Sequence, residues 1–211
     1  GMIRGDLVNV AHRRFGTRVT ASSVFPGPIA GAFGSEFAVD AADATDGCRH
    51  WVHNTHWQSD RRPDAAHWLA VDLGKPREVV RVRVLHYGAI QGVYSWFGES
   101  PARFNTADFR LQEADSPDGP GRDIVPPVQG NTESVTEFEL PAARLRHVRL
   151  WITKAEQNGN DCARIFEVEV YVRRSTVDAE LPRRTIVEVL DDLATKWRRR
   201  VRPGAILADY G

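Results

Sequence analysis

Asp46 stands directly before Gly47, which puts a carboxylate on a sharp turn, a placement that suits a hard cation needing oxygen ligands. A second carboxylate, Glu167, opens the apolar-polar run Val168-Glu169-Val170-Tyr171-Val172. Between them, His50, His53, His56 and His67 crowd one stretch of chain. Clustered imidazoles bind zinc or nickel. A spacing of three and three aligns side chains only on a helix, however, and Gly47 and Asn54 argue against one, so these histidines read as loop residues or ligand contacts. Two irregular stretches, 24–66 and 88–105, also collect aromatic rings and planar donors: Trp51, His53, Asn54, Trp96, Phe97, Arg103 and Asn105. The turn Asn158-Gly159-Asn160 adds two amides. An aromatic face against C–H surface, ringed by planar donors and acceptors, is what a pyranose ring requires of a site.

The elements that must hold these groups are strands. Val80, Val82 and Val84 alternate with Arg81 and Arg83; Val148, Leu150 and Ile152 alternate with Arg149 and Trp151; Val168, Val170 and Val172 alternate with Glu169 and Tyr171. Period two marks strands buried on one face. Further strands are predicted over 17–22, 67–73, 107–114, 122–128 and 134–140, with turns at Gly74-Lys75-Pro76, Ser116-Pro117-Asp118-Gly119, Gly130-Asn131 and Asn158-Gly159-Asn160. Trp57 and Trp68 are expected in the core. Many short strands with polar turns predict a sandwich or barrel. Long irregular stretches inside such a domain are usually functional or metal-ordered. Past 183 the character changes. Ile186, Leu190, Leu193 and Trp197 fall on one face of an amphipathic helix, Arg198, Arg199 and Arg200 suit its negative pole, and Pro203-Gly204 stops it.

The bulk properties favour a neutral ligand. The formal net charge is +0, so nothing in the charge balance points to nucleic acid or anionic membranes. No apolar run approaches the ~18 residues of a membrane span, and no basic-then-apolar leader opens the chain. Gly1 before Met2 reads as the scar of a removed tag, which makes an excised fragment the expectation. Catalysis finds little support: there is no GxSxG, phosphate loop or dinucleotide fingerprint, and no recognisable acid–base carboxylate pair. The arginines at 198–202 read as a solvated helix end.

Taken in order, Val8-Asn9-Val10-Ala11, Val19-Thr20-Ala21-Ser22-Ser23, Ala44-Thr45-Asp46-Gly47, Thr55-His56-Trp57, Trp68-Leu69-Ala70-Val71-Asp72-Leu73-Gly74, Ser116-Pro117-Asp118-Gly119, Arg146-His147-Val148-Arg149-Leu150 and Ile165-Phe166-Glu167-Val168-Glu169-Val170-Tyr171 resemble the discoidin, or coagulation factor type C, family. That family includes many carbohydrate-binding modules appended to bacterial glycosidases. The resemblance implies an all-β, eight-stranded jelly-roll sandwich of the galactose-binding-like type over 7–173. Residues 174–211 then form an added C-terminal α-helix and tail. It also implies a structural calcium ion held by Asp46 and Glu167 with backbone carbonyls, one near Thr55, and with Asp43 as a further oxygen source. Cys48 departs from the pattern, which usually has Asp or Asn there. If both carboxylates reach one ion, Cys48 and Cys162 could be neighbours; a disulfide and two unrelated thiols both remain open. In similar modules an Arg followed closely by Asn contacts the sugar, which points to Arg103 and Asn105.

The function implied is non-catalytic recognition of a glycan, most readily a galactose-like sugar, at loops on one edge of the sandwich. The implied setting is extracellular or at a cell surface, in a chain linked to a catalytic domain. Two rivals stand beside it. One is a protein- or lipid-recognition discoidin domain with Trp96 and Phe97 as an exposed apolar tip. The other is a jelly-roll enzyme built on His50, His53, His56 and His67.

Overall fold

In the longest run of alternating sequence, buried Val82 and Val84 face one way while Arg81 and Arg83 stay partly exposed on the other. The computed structural model describes residues 3–27, 29–30, 36–47, 55–62, 65–89, 101–157, 159 and 161–181. The strands are β1 (Ile3–Arg4), β2 (Leu7–Asn9), β3 (Arg18–Ala21), β4 (Ile29–Ala30), β5 (Glu36–Phe37), β6 (Trp57–Gln58), β7 (His67–His86), β8 (Asp108–Ala114), β9 (Gly121–Asp123), β10 (Val135–Lys154) and β11 (Arg164–Arg173). All pairings are antiparallel, and apart from the separate β4–β5 pair they form one continuous order, β1-β2-β11-β7-β10-β8-β9, with β3 on β7 and β6 on β11.

The order is continuous because β7 and β10, each 20 residues long, bend and serve both layers. In β7 the bend falls at the predicted Gly74 turn, where φ is 76°, a conformation glycine adopts without cost. A side chain there would meet the Gly16 carbonyl at 3.4 Å, an ordinary contact, so it is the positive φ that calls for glycine. Buried Arg77 folds back into the bend, donating from Nε to the Leu73 carbonyl at 3.4 Å and lying over the Phe15 ring. In β10 the pairing shifts between Glu139 and Ala143, and Ala142 takes φ 48°. Counted by halves, β2, β3, β7, β8, β10 and β11 supply the eight main strand segments expected of a jelly roll. One layer holds β3, 67–73 of β7, 147–154 of β10, β8 and β9; the other holds β1, β2, β11, 79–86 of β7 and 135–145 of β10.

Between the layers lie Leu69, Val71, Leu73, Phe109, Leu111, Leu150 and Ile152 from one sheet and Val82, Val84, Val168 and Val170 from the other, all at most 2% exposed. Phe109 bridges them, edge-on to Phe138 at 6.2 Å and tilted against His86 at 5.3 Å. Burying one such ring contributes about 2–3 kcal/mol. Fully buried His86, beside Thr136 Oγ1 at 3.1 Å, has its pKa lowered to about 3 by burial, so it stays neutral.

Three expectations need correction. Trp57 is fully buried as predicted, but Trp68 is only partly buried, because Leu69, Val71 and Leu73 take the inward positions and Trp68 faces outward opposite Trp151. The strand predicted over 122–128 shortens to Gly121–Asp123 plus a single bridge between Phe109 and Val128. Pro126 and Pro127 have no N–H to give a ladder. Gly74-Lys75-Pro76 bends a strand without ending it. The sandwich is one compact unit through Val177; Asp178–Gly211 form a second, in which a short 3-10 turn, Asp178–Glu180, is described. The predicted helix over 183–200 lies outside the described residues.

Candidate functional site at one end of the sandwich

The Asp46 turn is carried by a 3-10 helix, Ala41–Thr45. Asp40 caps it, its Oδ1 accepting from Ala42 N at 3.1 Å, while Asp40 N donates to Asp43 Oδ2 at 2.8 Å. This reciprocal capping box sets where the helix begins. Asp46 then ends the helix, and Gly47, at φ 74°, turns the chain so that its N–H reaches the fully buried carboxylate of Glu167, 3.2 Å away. The structure therefore brings the Asp46 turn and Glu167 together. Asp43 lies nearby, but its carboxylate serves the capping box. Burial, with the Asp46 and Asp40 charges, raises the Asp43 pKa, although the Asp40 N–H works against the shift. Thr55 Oγ1 is buried without a hydrogen-bond partner. His12, which no sequence motif marks, packs against the same turn, 3.6 Å from where a Gly47 side chain would sit. Burial and the neighbouring Arg13 and Arg14 lower its pKa, with Asp46 opposing them.

Among the described residues, no three His, Cys, Asp or Glu converge to hold a metal. His56 is fully buried, its ring 4.7 Å from Tyr87 and its Nε2 3.5 Å from Gln58 Oε1. His67 is also buried, and burial lowers its pKa. His50 and His53 lie outside the described residues.

The second half of the site is a 3-10 turn, Pro101–Phe104, that follows β7 in the chain and packs beside its end. Partly buried Arg103 lays its guanidinium over the Phe104 ring at 4.7 Å. Phe104 packs against Leu85, Tyr87 and Phe166. A second guanidinium, that of Arg164 on β11, lies 5.5 Å from the Phe104 ring and 5.6 Å from that of Tyr87. Arg164 also donates from Nε to Gln58 Oε1 at 3.0 Å and forms an ion pair with Glu156, which is fully buried.

Asn105 departs from its expected role. It is fully buried, accepts from Gly88 N at 2.8 Å, and donates to the Thr132 carbonyl at 3.0 Å and Ser134 Oγ at 3.3 Å. Its amide ties three loops together, so it is a structural residue and not a ligand contact. Of the two readings left open for Cys162, the structure shows a buried free thiol that donates to the Ser59 carbonyl; Cys48 is outside the described residues. Burial is the main cause that pushes the Cys162 pKa up. His53, Asn54, Trp96, Phe97, Asn158 and Asn160 also lie outside the described residues.

The two halves meet through β11. Arg164 pairs with Gln58, Ile165 with His86 and Trp57, and Glu167 with Leu85. The start of one strand thus carries both Arg164 and Glu167. Tyr87, Glu156 and Arg164 were not among the residues expected here from sequence. Their only sequence signal is position, because each stands at the end of a strand or just beyond one. A separate cleft of about 430 Å³, between Asp6, Leu7, Val80, Leu140 and Arg173, lies towards the other end of β11.

A family model described as the F5/8 type C domain matches residues 18–168. No curated protein matches the chain. Among solved structures, the family 32 carbohydrate-binding module from Streptococcus pneumoniae EndoD is 22% identical, covers 78% of this chain and 99% of its own, and superposes with a TM-score of 0.55. The family 32 module from C. perfringens NanJ, in complex with galactose, is 16% identical over 79% of this chain and 99% of its own, with a TM-score of 0.52. The lectin domain of Lectinolysin complexed with Lewis B antigen is 20% identical over 77% of this chain and 94% of its own, with a TM-score of 0.51. At these identities the likeness establishes the fold.

Proposed function

The chain belongs to the F5/8 type C domain family, and we propose that it is a non-catalytic carbohydrate-binding module whose glycan site lies at the Arg103 end of the sandwich. The observation that carries this reading is the array of Arg103, Phe104, Tyr87 and Arg164 at the end where the loops gather. An arginine fork fixed on a ring offers planar donors in a set direction, which hydroxyl recognition needs. The galactose complex of the NanJ module and the Lewis B complex of the Lectinolysin domain support a galactose-containing or fucosylated glycan as the ligand class. His53, Asn54, Trp96, Phe97, Asn158 and Asn160 belong to the same proposed site. An extracellular or cell-surface setting, and linkage to a catalytic domain, follow as parts of the reading. Among the described residues the exposed large hydrophobic side chain is Val24; Trp96 and Phe97, the apolar tip of the lipid-recognition reading, lie outside them.

A structural calcium ion is part of the proposal. Its support is the kind of oxygen donor gathered around the Asp46 turn, since no three acidic or histidine side chains among the described residues converge there. Glu167 is a buried carboxylate, Asp46 sits on the adjoining turn, Thr55 Oγ1 is a buried oxygen without a hydrogen-bond partner, and Asp40 and Asp43 crowd negative charge nearby. Asp46 and Glu167 would hold the ion, with backbone carbonyls near Thr55 completing its shell. Bound there, calcium would supply a fixed positive charge that ties the Asp46 turn to β11.

Calorimetric titration with galactose in calcium buffer tests the sugar claim. Weak, saturable binding that is lost in Arg103→Ala is the expected result. Binding undiminished in that variant would move the site elsewhere.

A further inference from the structure

The Arg164–Glu156 pair stands at the proposed site without being one of its expected contacts. Glu156 is a fully buried carboxylate and Arg164 is its ion-pair partner. A buried ion pair is weak evidence for stability, because well-packed apolar residues often replace one at no loss. A role in specifying local geometry explains it better, and the geometry indicates which role. Two guanidiniums lie over one ring, Arg103 at 4.7 Å and Arg164 at 5.5 Å from Phe104. Each cation is attracted to the ring, but two like charges that share one ring also repel one another. The Glu156 carboxylate matches the Arg164 charge and relieves the repulsion. Arg164 is also anchored by Gln58 and set over Tyr87, so it is the fixed member of the array.

We propose that Arg164, neutralised by buried Glu156, is a positioning residue. It fixes the Phe104 ring, and through that ring it presets the Arg103 guanidinium for glycan hydroxyls. Pre-ordering a long side chain removes part of the entropy cost of binding. The affinity part of this inference rests on the glycan reading above; the ordering of Arg103 does not.

The test has two arms, run on the whole chain. The first reads the Arg103 Nε–H group by 15N relaxation without ligand in wild type, Arg164→Lys, Glu156→Gln and Phe104→Leu. Arg164→Lys keeps the charge but loses the planar fork; Phe104→Leu removes the ring and leaves the buried pair intact, which covers the case that the other variants fold poorly. Arg103 is expected to be ordered in wild type and mobile in each variant. The second arm titrates galactose and Lewis B oligosaccharide into wild type, Arg164→Lys, Arg103→Ala and the double variant. Arg164→Lys is expected to weaken binding about three- to tenfold, and to add nothing once Arg103 is gone. An Arg103 group equally ordered in all variants overturns the inference, and so do losses that add in the double variant. If wild type binds neither sugar, the glycan reading fails and the relaxation arm alone decides the positioning claim.

Discussion

Gly47 and Glu167 stand 120 residues apart in the chain, yet the Gly47 N–H donates to the buried Glu167 carboxylate at 3.2 Å. This one bond joins the 3-10 turn that ends at Asp46 to the start of the strand that carries Arg164. A buried carboxylate beside an acidic turn is costly to desolvate. The proposed calcium ion would offset that cost.

Glu167→Gln is accordingly expected to separate the ion from the fold. Wild type should lose thermal stability in excess chelator by about 2–3 kcal/mol, the linkage expected at roughly a hundredfold excess of ion over its dissociation constant. The variant should start lower and show no response to chelator. Thermal melts of both proteins with calcium and with chelator check this, and a wild-type melt unmoved by chelator rules the ion out.

Arg103 and Asn105 should behave oppositely although they are two residues apart. Asn105→Ala strands the Gly88 N–H and the Thr132 and Ser134 acceptors, at about 1–3 kcal/mol, so its melting temperature should fall by several degrees. Arg103→Ala should leave the melt within about a degree or two and lose glycan binding. The reverse pattern would exchange their assigned roles.

His86 makes stability depend on pH. Its folded pKa, about 3, lies below the ordinary value of 6.5, so the unfolded chain binds the proton more readily. Stability from this group is complete above about pH 6.5 and is lost as pH falls towards 3, at up to ~1.4 kcal/mol per pH unit. His12 and His67, whose pKa values are also lowered, act with the same sign. Urea unfolding of wild type and His86→Gln at pH 7.5, 6 and 5 should show a shallower decline in the variant. Parallel declines would mean that His86 is charged or exposed in the folded protein.

Cys162 should stay silent to thiol reagents. Its burial, its bond to the Ser59 carbonyl and its raised pKa all disfavour the reactive thiolate. Labelling is expected only on unfolding, and reducing agent should leave the melt unchanged. A melting temperature that drops under reduction would indicate a disulfide after all.

The sequence carried the strand layers plainly, because Val80–Val84, Val148–Ile152 and Val168–Val172 alternate with a period that only a half-buried strand produces. It also placed Asp46 and Glu167 in one neighbourhood through the family resemblance. It could not tell Trp68 from a core residue, since alternation gives the period of a strand and not which phase faces in. It misplaced Asn105 because the amide that suits a sugar hydroxyl equally suits loop carbonyls, and only burial distinguishes the two. The Arg164–Glu156 pair was invisible because its meaning depends on Phe104 and Tyr87, which other segments bring to it.

The most direct test of the central claim is a glycan-array screen of the whole chain in calcium, with Arg103→Ala run beside it. Reproducible binding to galactose-containing or fucosylated glycans by wild type is predicted, with loss of those signals in the variant. An array on which properly folded wild type binds nothing, or on which the variant binds as well as wild type, would contradict a glycan site at Arg103.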